Sequence, residues 1–211
     1  MTGAAAEALL RTRQRLLDEK RELVADRDGV QEVLDLAKDV FAEEVKIRLT
    51  IPAGHVTYVP DATPTYVLDV GCDGGIWGAQ FTRVGAWFRS HQARRPSGTF
   101  FGYRSPVTVF IVRDVKGKRG LRTSGFLADY AVIDPRALAG AEGSRLTLAH
   151  EVGHTCILAH GLPSSGDGTL MQADHDDPDE RPRRMTRAQK ALFRGSPHVV
   201  FLSRAAVAAE V

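Results

Sequence analysis

Residues 150–160 constrain the fold of this chain more than any other part of the sequence. His150 and His154 are four residues apart, so on a helix both imidazoles project from one face and are able to bind the same metal ion. Along an unbroken helix His160 would lie about 9 Å beyond His154, at about 1.5 Å per residue, and on another face. His160 is therefore able to bind the same metal ion only if the helix ends between His154 and His160 and the chain turns back.

The residue types in this stretch favour zinc chemistry. Residues 150–154 have the pattern HExxH, in which two histidines bind zinc and the glutamate, here Glu151, acts as general base. A catalytic zinc site has three protein ligands and a fourth position for water, whose pKa the metal lowers from above 15 to about 7. The competing interpretation is a pair of core histidines on an apolar helix, satisfied by hydrogen bonds and without a catalytic role.

Two residues further along the chain extend the pattern. With His160 and Met171 included, the stretch resembles the metzincin clan of zinc endopeptidases, whose motif is HExxHxxGxxH followed by a Met-turn. The resemblance implies that His150, His154 and His160 are the zinc ligands. It further implies that Glu151 is the general base and that Met171 is the Met-turn methionine below the zinc. The cofactor would be Zn²⁺ and the substrate a peptide or protein.

One position departs from the metzincin motif. Ile157 stands where the family has the glycine that ends the active-site helix, and a β-branched residue tolerates a positive φ badly. We therefore expect the turn to be made differently, with Gly161 adopting the unusual backbone angles. If His160 does not bind the metal, the acidic run at residues 174–177, which begins with Asp174, offers a substitute ligand.

The resemblance also implies a fold of the α/β (α+β) class. It would combine a metzincin-like mixed β-sheet, an active-site helix and a C-terminal helical subdomain. Residues 125–128 resemble the edge strand along which metzincins bind substrate, so Leu127 and Ala128 are candidate substrate-binding residues. Residues 129–135 resemble the strand that leads to the active-site helix.

Local patterns outside the motif predict an α/β layer in front of the zinc helix. Alternation predicts a half-buried strand at residues 46–52, and a second candidate strand covers residues 65–70. A helix is expected at residues 77–95, and the apolar run 106–112 predicts a strand buried on both faces. We assign residues 47–211 to one zinc peptidase domain. Near its end, Thr186 followed by Gln189 predicts a helix with a capping box.

The N-terminal part of the chain predicts a helical hairpin over residues 1–46. Residues 4–27 carry adjacent apolar pairs seven residues apart, which form a narrow stripe on a charged helix. Asp28-Gly29 predicts a turn, and residues 30–46 follow helical spacing. The hairpin either docks against the catalytic domain or binds a regulatory partner or a second copy of the chain.

Composition narrows the partners and the compartment. A net charge of +2 and a pI near 8.6 are too mild to imply nucleic acid or an anionic membrane as partner. No apolar run reaches the roughly 18 residues of a membrane-spanning helix, and no signal-peptide core is apparent. The two cysteines, Cys72 and Cys156, do not make a disulfide framework, and Cys156 is expected to face the core. We predict a cytoplasmic protein, with secretion without a cleaved signal peptide as the alternative.

The predicted function is therefore a zinc-dependent endopeptidase in which Glu151 takes a proton from the attacking water. Two alternatives stay open. One is an HExxH regulatory peptidase outside the metzincins, with a downstream carboxylate such as Asp174 as third ligand. The other is a non-catalytic zinc-binding interaction module, against which the intact Glu151 argues because a scaffold has no use for a base.

Overall fold

The described part of the molecule combines helices with short strands. The computed structural model describes residues 24–51, 63–71, 82–92, 106–116, 129–140, 142–158, 168–172 and 181–199. Its helices are α1 (Arg27–Val40), α2 (Thr65–Leu68), α3 (Arg83–His91), α4 (Glu142–Arg145), α5 (Thr147–Thr155) and α6 (Arg187–Arg194). Its strands are β1 (Asp69–Gly71), β2 (Thr108–Ile111), β3 (Asp114–Lys116) and β4 (Tyr130–Ile133). A π-helical turn (Phe41–Val45) continues α1, and a 3-10 turn (Pro135–Ala137) follows β4. This mixture agrees with the predicted α+β class.

The strands form two parallel pairs. β2 pairs with β4 in a register that places Thr108 opposite Tyr130, and β1 pairs with β3 with Asp69 opposite Asp114. Only two residues separate β2 from β3, so the segment 108–116 bonds to β4 with its first part and to β1 with its second part. Two of the predicted strands, those at residues 106–112 and 129–135, are thereby confirmed.

Two apolar clusters pack on opposite faces of β4. Tyr130 and Val132 belong to a cluster with Phe88 of α3, whereas Ile133 belongs to the cluster that contains α5 and α1. This separation follows from the two-residue period of a strand. The strand buried along its whole length is β4, while every residue of β2 is half-buried. The prediction of full burial for residues 106–112 was therefore wrong, because α5 packs against β4.

Two predicted strands near the N-terminal side differ from the structure. Thr65–Leu68 is the helical turn α2, and strand geometry begins only at Asp69. The turn buries Val67 and Leu68 together, which a strand would place on opposite faces. Residues 46–51 form no strand within the described ranges, although Ile47 and Leu49 pack against the core on alternate positions.

The observed starts of two helices, α3 and α1, differ from the predicted ones. α3 lies inside the helix expected at residues 77–95, and it begins after Thr82, whose hydroxyl accepts a hydrogen bond from the Gly85 amide. The turn predicted at Asp28-Gly29 was wrong. Both residues lie in the first turn of α1, because the Asp26 carboxylate caps the helix by accepting from the Gly29 amide at 2.6 Å. None of the helices in the described ranges has both the length and the apolar composition needed to cross a membrane.

The N-terminal helix α1 packs directly on the histidine-bearing helix. Val33, Ala37 and Val40 are buried in the same cluster as Ala149 and Val152 of α5. The second helix of the predicted hairpin therefore contributes to the core around the site. The first helix of that hairpin lies outside the described residues, and the boundary at residue 46 and an association through the hairpin stay predictions.

Glu44, in the π-helical turn, joins this N-terminal element to the C-terminal one. Its carboxylate accepts hydrogen bonds from the Met185 amide at 2.8 Å and from Lys190 Nζ at 2.9 Å. Burial alone would raise the pKa of the Glu44 carboxyl, but the bonds from Lys190 and Met185 outweigh it and hold the pKa below its ordinary value of 4.5. The charged form is therefore the one that stabilises the fold.

Replacing Glu44 by Gln should flatten the acid side of the stability profile. A carboxyl whose pKa is lower in the folded state contributes stability that is complete above its unfolded-state pKa and is lost as the pH falls through the folded-state value. We expect the wild-type free energy of unfolding to fall more steeply between about pH 5 and pH 3 than that of Glu44→Gln. Urea titrations at a series of pH values measure this free energy for both proteins. Glu32→Gln, at an exposed carboxylate 3.5 Å from Arg145, is the control, and equal slopes for wild type and Glu44→Gln would contradict the assignment.

Candidate metal centre

The HExxH segment lies on a helix that is buried along its whole length. All residues of α5 are buried, and His150, Glu151 and His154 are only 3%, 2% and 7% exposed. Polar side chains removed from water in this way are costly unless they are hydrogen-bonded or bind a metal. These three buried side chains therefore require hydrogen-bond partners or a metal ion.

The two histidine rings point toward each other. Their Nε2 atoms are 3.0 Å apart, and the ring planes are nearly perpendicular, at 88°. Two nitrogens that each lie about 2.0–2.1 Å from one tetrahedral Zn²⁺ are about 3.3 Å apart. The observed separation differs from that value by only a few tenths of an ångström, so little movement is needed for both rings to bind one ion.

Backbone carbonyls hold the far side of each ring. His150 Nδ1 is 2.7 Å from the Leu170 carbonyl oxygen, and His154 Nδ1 is 2.5 Å from that of Leu158. A carbonyl only accepts, so His154 carries its hydrogen on Nδ1, and Nε2 of the neutral ring presents a lone pair to His150. Metal-binding histidines in proteins commonly donate their other nitrogen in this way.

His150 has two neighbours at Nδ1, and they allow two positions for its proton. Nη1 of Arg181 also contacts this nitrogen, and a guanidinium only donates. The neutral ring therefore carries its proton either on Nδ1, bonded to Leu170, or on Nε2, bonded to His154. A metal ion between the rings requires the first arrangement, because it uses the lone pairs of both Nε2 atoms and displaces any proton there.

The helix ends immediately after the second histidine, in a Schellman turn. The Leu158 amide donates to the Gly153 carbonyl at 3.1 Å, and the Ile157 amide donates to the His154 carbonyl at 3.1 Å. Ile157 itself has φ 68°. The expectation that this β-branched residue avoids the left-handed conformation was therefore wrong, and Gly161 lies outside the described residues. Complete burial of Leu158 anchors the turn and keeps its carbonyl next to the His154 ring.

Replacing Ile157 by Gly should stabilise the protein. The left-handed conformation costs an L-residue about 1–2 kcal/mol, while the added flexibility of glycine costs about 0.5–1 kcal/mol. Because Ile157 is 43% exposed, its replacement by Gly removes few packing contacts. We expect the free energy of unfolding to increase by about 0.5–1 kcal/mol. Ile157→Ala keeps the strain and should show no gain.

Urea unfolding of both variants measures this difference. Leu192→Gly is the matched control, because Leu192 is similarly exposed, at 41%, but lies within α6. Glycine there should destabilise by about 1 kcal/mol. Equal destabilisation by glycine at both positions would show that Ile157 carries no backbone strain.

Met171 lies against α5 at Gly153, a residue between the two histidines in the sequence. Its side chain is completely buried, and a Cβ added at Gly153 would be only 2.5 Å from the Met171 sulfur. Gly153 therefore leaves the room that the thioether occupies. A glycine in the interior of a helix is the sequence signal for such a close approach, whereas the HExxH pattern places no demand on this position.

The turn that carries Met171 is held by one hydrogen bond within its backbone and by one to the Gln172 side chain. The Gln172 amide donates to the Thr169 carbonyl at 3.1 Å, and the Gly168 amide donates to Gln172 Oε1 at 2.7 Å. Gly168 has φ 86°, which glycine adopts without strain. In this turn the Leu170 carbonyl faces His150 Nδ1. Because the acceptor is a backbone group, no pattern of side chains in the sequence predicts it.

Gln189 links this turn to the helix that follows. The predicted capping box is confirmed, since Gln189 Oε1 accepts from the Thr186 amide at 2.9 Å and the Thr186 hydroxyl accepts from the Gln189 amide at 3.2 Å. The completely buried Gln189 side chain also donates from Nε2 to the Thr169 hydroxyl at 3.5 Å. The hydrogen bond to Thr169 could not be predicted from the local sequence pattern.

Cys156 faces the core, as predicted, and is 2% exposed. Burial raises the pKa of the Cys156 thiol to about 11, although hydrogen bonds with Ser196 and Thr155 act in the opposite direction. At neutral pH the sulfur is therefore protonated.

Several predicted site residues lie outside the described residues: His160, Leu127, Ala128 and the alternative ligand Asp174. Within the described ranges, no group of three or more His, Cys, Asp or Glu residues is placed to hold a metal ion. The described part of the site therefore consists of the His150–His154 pair, Glu151 and Met171. The chain matches no family model, no curated protein and no solved structure.

Proposed function

We propose that this chain is a zinc-dependent endopeptidase with His150 and His154 as two of the metal ligands. One observation carries the proposal: the two buried rings present their Nε2 atoms to each other at 3.0 Å, and a backbone carbonyl lies at the Nδ1 atom of each ring. Two Nε2 lone pairs that face each other repel unless a proton or a metal ion lies between them. With a metal ion there, both Nδ1 atoms carry hydrogens, and each has a carbonyl to accept its hydrogen bond.

The donor set suits zinc. Neutral imidazoles are among the ligands that Zn²⁺ prefers, and His160 would be the third one. Bound there, Zn²⁺ lowers the pKa of a water ligand to about 7 and polarises a carbonyl oxygen. The protein's own contribution begins with the two carbonyls, which orient the rings so that their lone pairs face the metal position.

Glu151 is proposed as the general base. Its carboxylate is 2% exposed and follows His150 directly in α5. A carboxylate at this position would accept the proton of the attacking water and later pass it to the leaving amine.

Two features support a metzincin-like arrangement in particular. The active-site helix ends with a left-handed residue at Ile157, the position of the family's glycine, so the chain turns away there as the return of His160 requires. Met171 lies against that helix at Gly153, as a Met-turn methionine would. The proposed substrate is an extended peptide or protein segment that adds to the sheet edge at Leu127 and Ala128 through main-chain hydrogen bonds.

The experiment that tests this function is digestion of an unfolded protein by the wild type and by Glu151→Gln, side by side. Each is assayed as zinc-loaded enzyme and after chelation, and the new termini of the products are identified by mass spectrometry. Chelator-sensitive cleavage by the wild type alone supports the proposal. Cleavage that is equal in both proteins, or that survives chelation, would be due to a contaminant or to another mechanism.

A further inference from the structure

The segment of residues 181–186, called the strap below, crosses the turn that carries Met171. The Leu170 amide donates to the Arg184 carbonyl at 2.7 Å, which joins the turn to the strap. The Met185 amide donates to the Glu44 carboxylate at 2.8 Å, which joins the strap to the N-terminal element. The strap is therefore bonded through Arg184 to the turn that carries Met171, and through Met185 to the N-terminal element.

The guanidinium of Arg181, the first residue of the strap, lies next to the turn that carries Met171 and next to His150. One nitrogen, Nη1, donates to the Leu170 carbonyl at 3.0 Å and to the Gln172 carbonyl at 3.3 Å. The same nitrogen contacts His150 Nδ1. The two Nη1 hydrogens are used on the two carbonyls, so the contact with Nδ1 is not a hydrogen bond when that nitrogen carries its own proton. Arg181 then acts on the His150 ring through the Leu170 carbonyl.

The Leu170 carbonyl oxygen has two lone pairs, so it is able to accept hydrogen bonds from Arg181 and from His150 at the same time. Arg181 occupies one lone pair, which leaves the other for the His150 Nδ1 hydrogen. The second hydrogen bond, from Arg181 Nη1 to the Gln172 carbonyl, holds the guanidinium against the same turn. The acceptor for His150 is thereby fixed in direction, and with it the direction in which His150 Nε2 points.

We propose that Arg181 is a positioning residue for zinc: by holding the Leu170 carbonyl, it fixes the His150 ring in the orientation that binds the metal. The inference rests on the proposed function, because it assumes that His150 is a ligand. Groups that orient a metal ligand typically contribute 10–100-fold to metal affinity. Arg181 does not touch the substrate or the reacting atoms, so we do not count it as catalytic.

Zinc affinity of the purified full-length protein tests this role. Arg181→Met keeps much of the apolar stem but has no donor, and we expect the Kd for Zn²⁺, measured by competition with a chromophoric chelator, to rise about 10–100-fold. Arg181→Lys keeps a charged donor without the planar fork and should lose less. Arg187→Met, at an exposed arginine in the first turn of α6, is the control and should match the wild type.

Two further measurements separate positioning from general stability. Thermal unfolding of the metal-free proteins reports folding alone, and the visible absorption of the Co²⁺-substituted proteins reports ligand geometry. We expect Arg181→Met to shift the Co²⁺ bands while its metal-free form still unfolds cooperatively. If Arg181→Met does not fold, Arg181→Lys takes its place, with a several-fold weaker Kd and shifted bands as the expected result.

The outcomes distinguish this inference from the proposed function. If the wild type binds Zn²⁺ and the Arg181 variants bind it equally well with unchanged Co²⁺ bands, the positioning role is refuted and the peptidase proposal stands. Tighter binding by Arg181→Met would also refute it, because Arg181 would then favour the His150 tautomer with its proton on Nε2. If the wild type binds no Zn²⁺, both the proposed function and this inference fail.

Discussion

Replacing Glu151 by Gln should leave zinc bound and reduce peptide cleavage by about 100- to 10,000-fold. The amide has nearly the same size as the carboxylate, so the packing of α5 around this buried residue is retained. It has no basic oxygen, however, and cannot take the proton of the attacking water. The loss should therefore appear in kcat with little change in KM, since the group acts in the transition state.

Cleavage of a quenched fluorescent peptide pool by zinc-loaded enzyme measures this effect, with zinc content determined on the same samples. Glu142→Gln is the control, because Glu142 is a half-exposed carboxylate of α4 that forms an ion pair with Arg183. It should cleave at the wild-type rate. Wild-type cleavage by a verified Glu151→Gln sample would remove Glu151 from the mechanism.

The second large effect is expected at His160. Its replacement by Ala removes one of three proposed protein ligands, so zinc affinity should fall by more than the 10–100-fold that loss of an orienting group costs. Activity should be lost with the metal. The effect distinguishes the metzincin-like ligand set from the alternative in which a downstream carboxylate completes the site.

Competition titrations with a chelator compare His160→Ala with Asp174→Ala. His91→Ala is the control, because His91 stacks on Trp87 at the end of α3 and is exposed. We expect a severe loss only for His160→Ala. Retained zinc in that variant together with loss in Asp174→Ala would establish the alternative HExxH site and exclude the metzincin-like one.

Elements whose pattern lies within a short stretch of the sequence were predictable. The capping box at Thr186 and Gln189 depends on residues three positions apart, and the strand at Tyr130–Ile133 is an apolar run bounded by aspartates. The α2 turn was missed because the same residues, Thr65 to Leu68, have strand propensity. Only the tertiary demand to bury Val67 and Leu68 together decides between the two conformations.

The histidine spacing predicted that the His150 and His154 rings lie on one face of a helix, and their Nε2 atoms are 3.0 Å apart. It did not predict what orients the rings. The acceptors are the backbone carbonyls of Leu158 and Leu170, and every residue has such a group, so no residue type identifies them. The left-handed Ile157 was likewise unpredictable, because the two Schellman hydrogen bonds and the burial of Leu158 outweigh a local preference of about 1–2 kcal/mol.

A shared metal at His150 and His154 would be seen directly by X-ray absorption at the zinc edge of the zinc-loaded wild type. We expect one Zn²⁺ per chain with imidazole nitrogens as the main ligands, at about 2.0–2.1 Å, and an oxygen donor in the remaining position. Protein that binds no zinc, or a spectrum with sulfur ligands or a hydrated ion without imidazole scattering, would contradict this assignment.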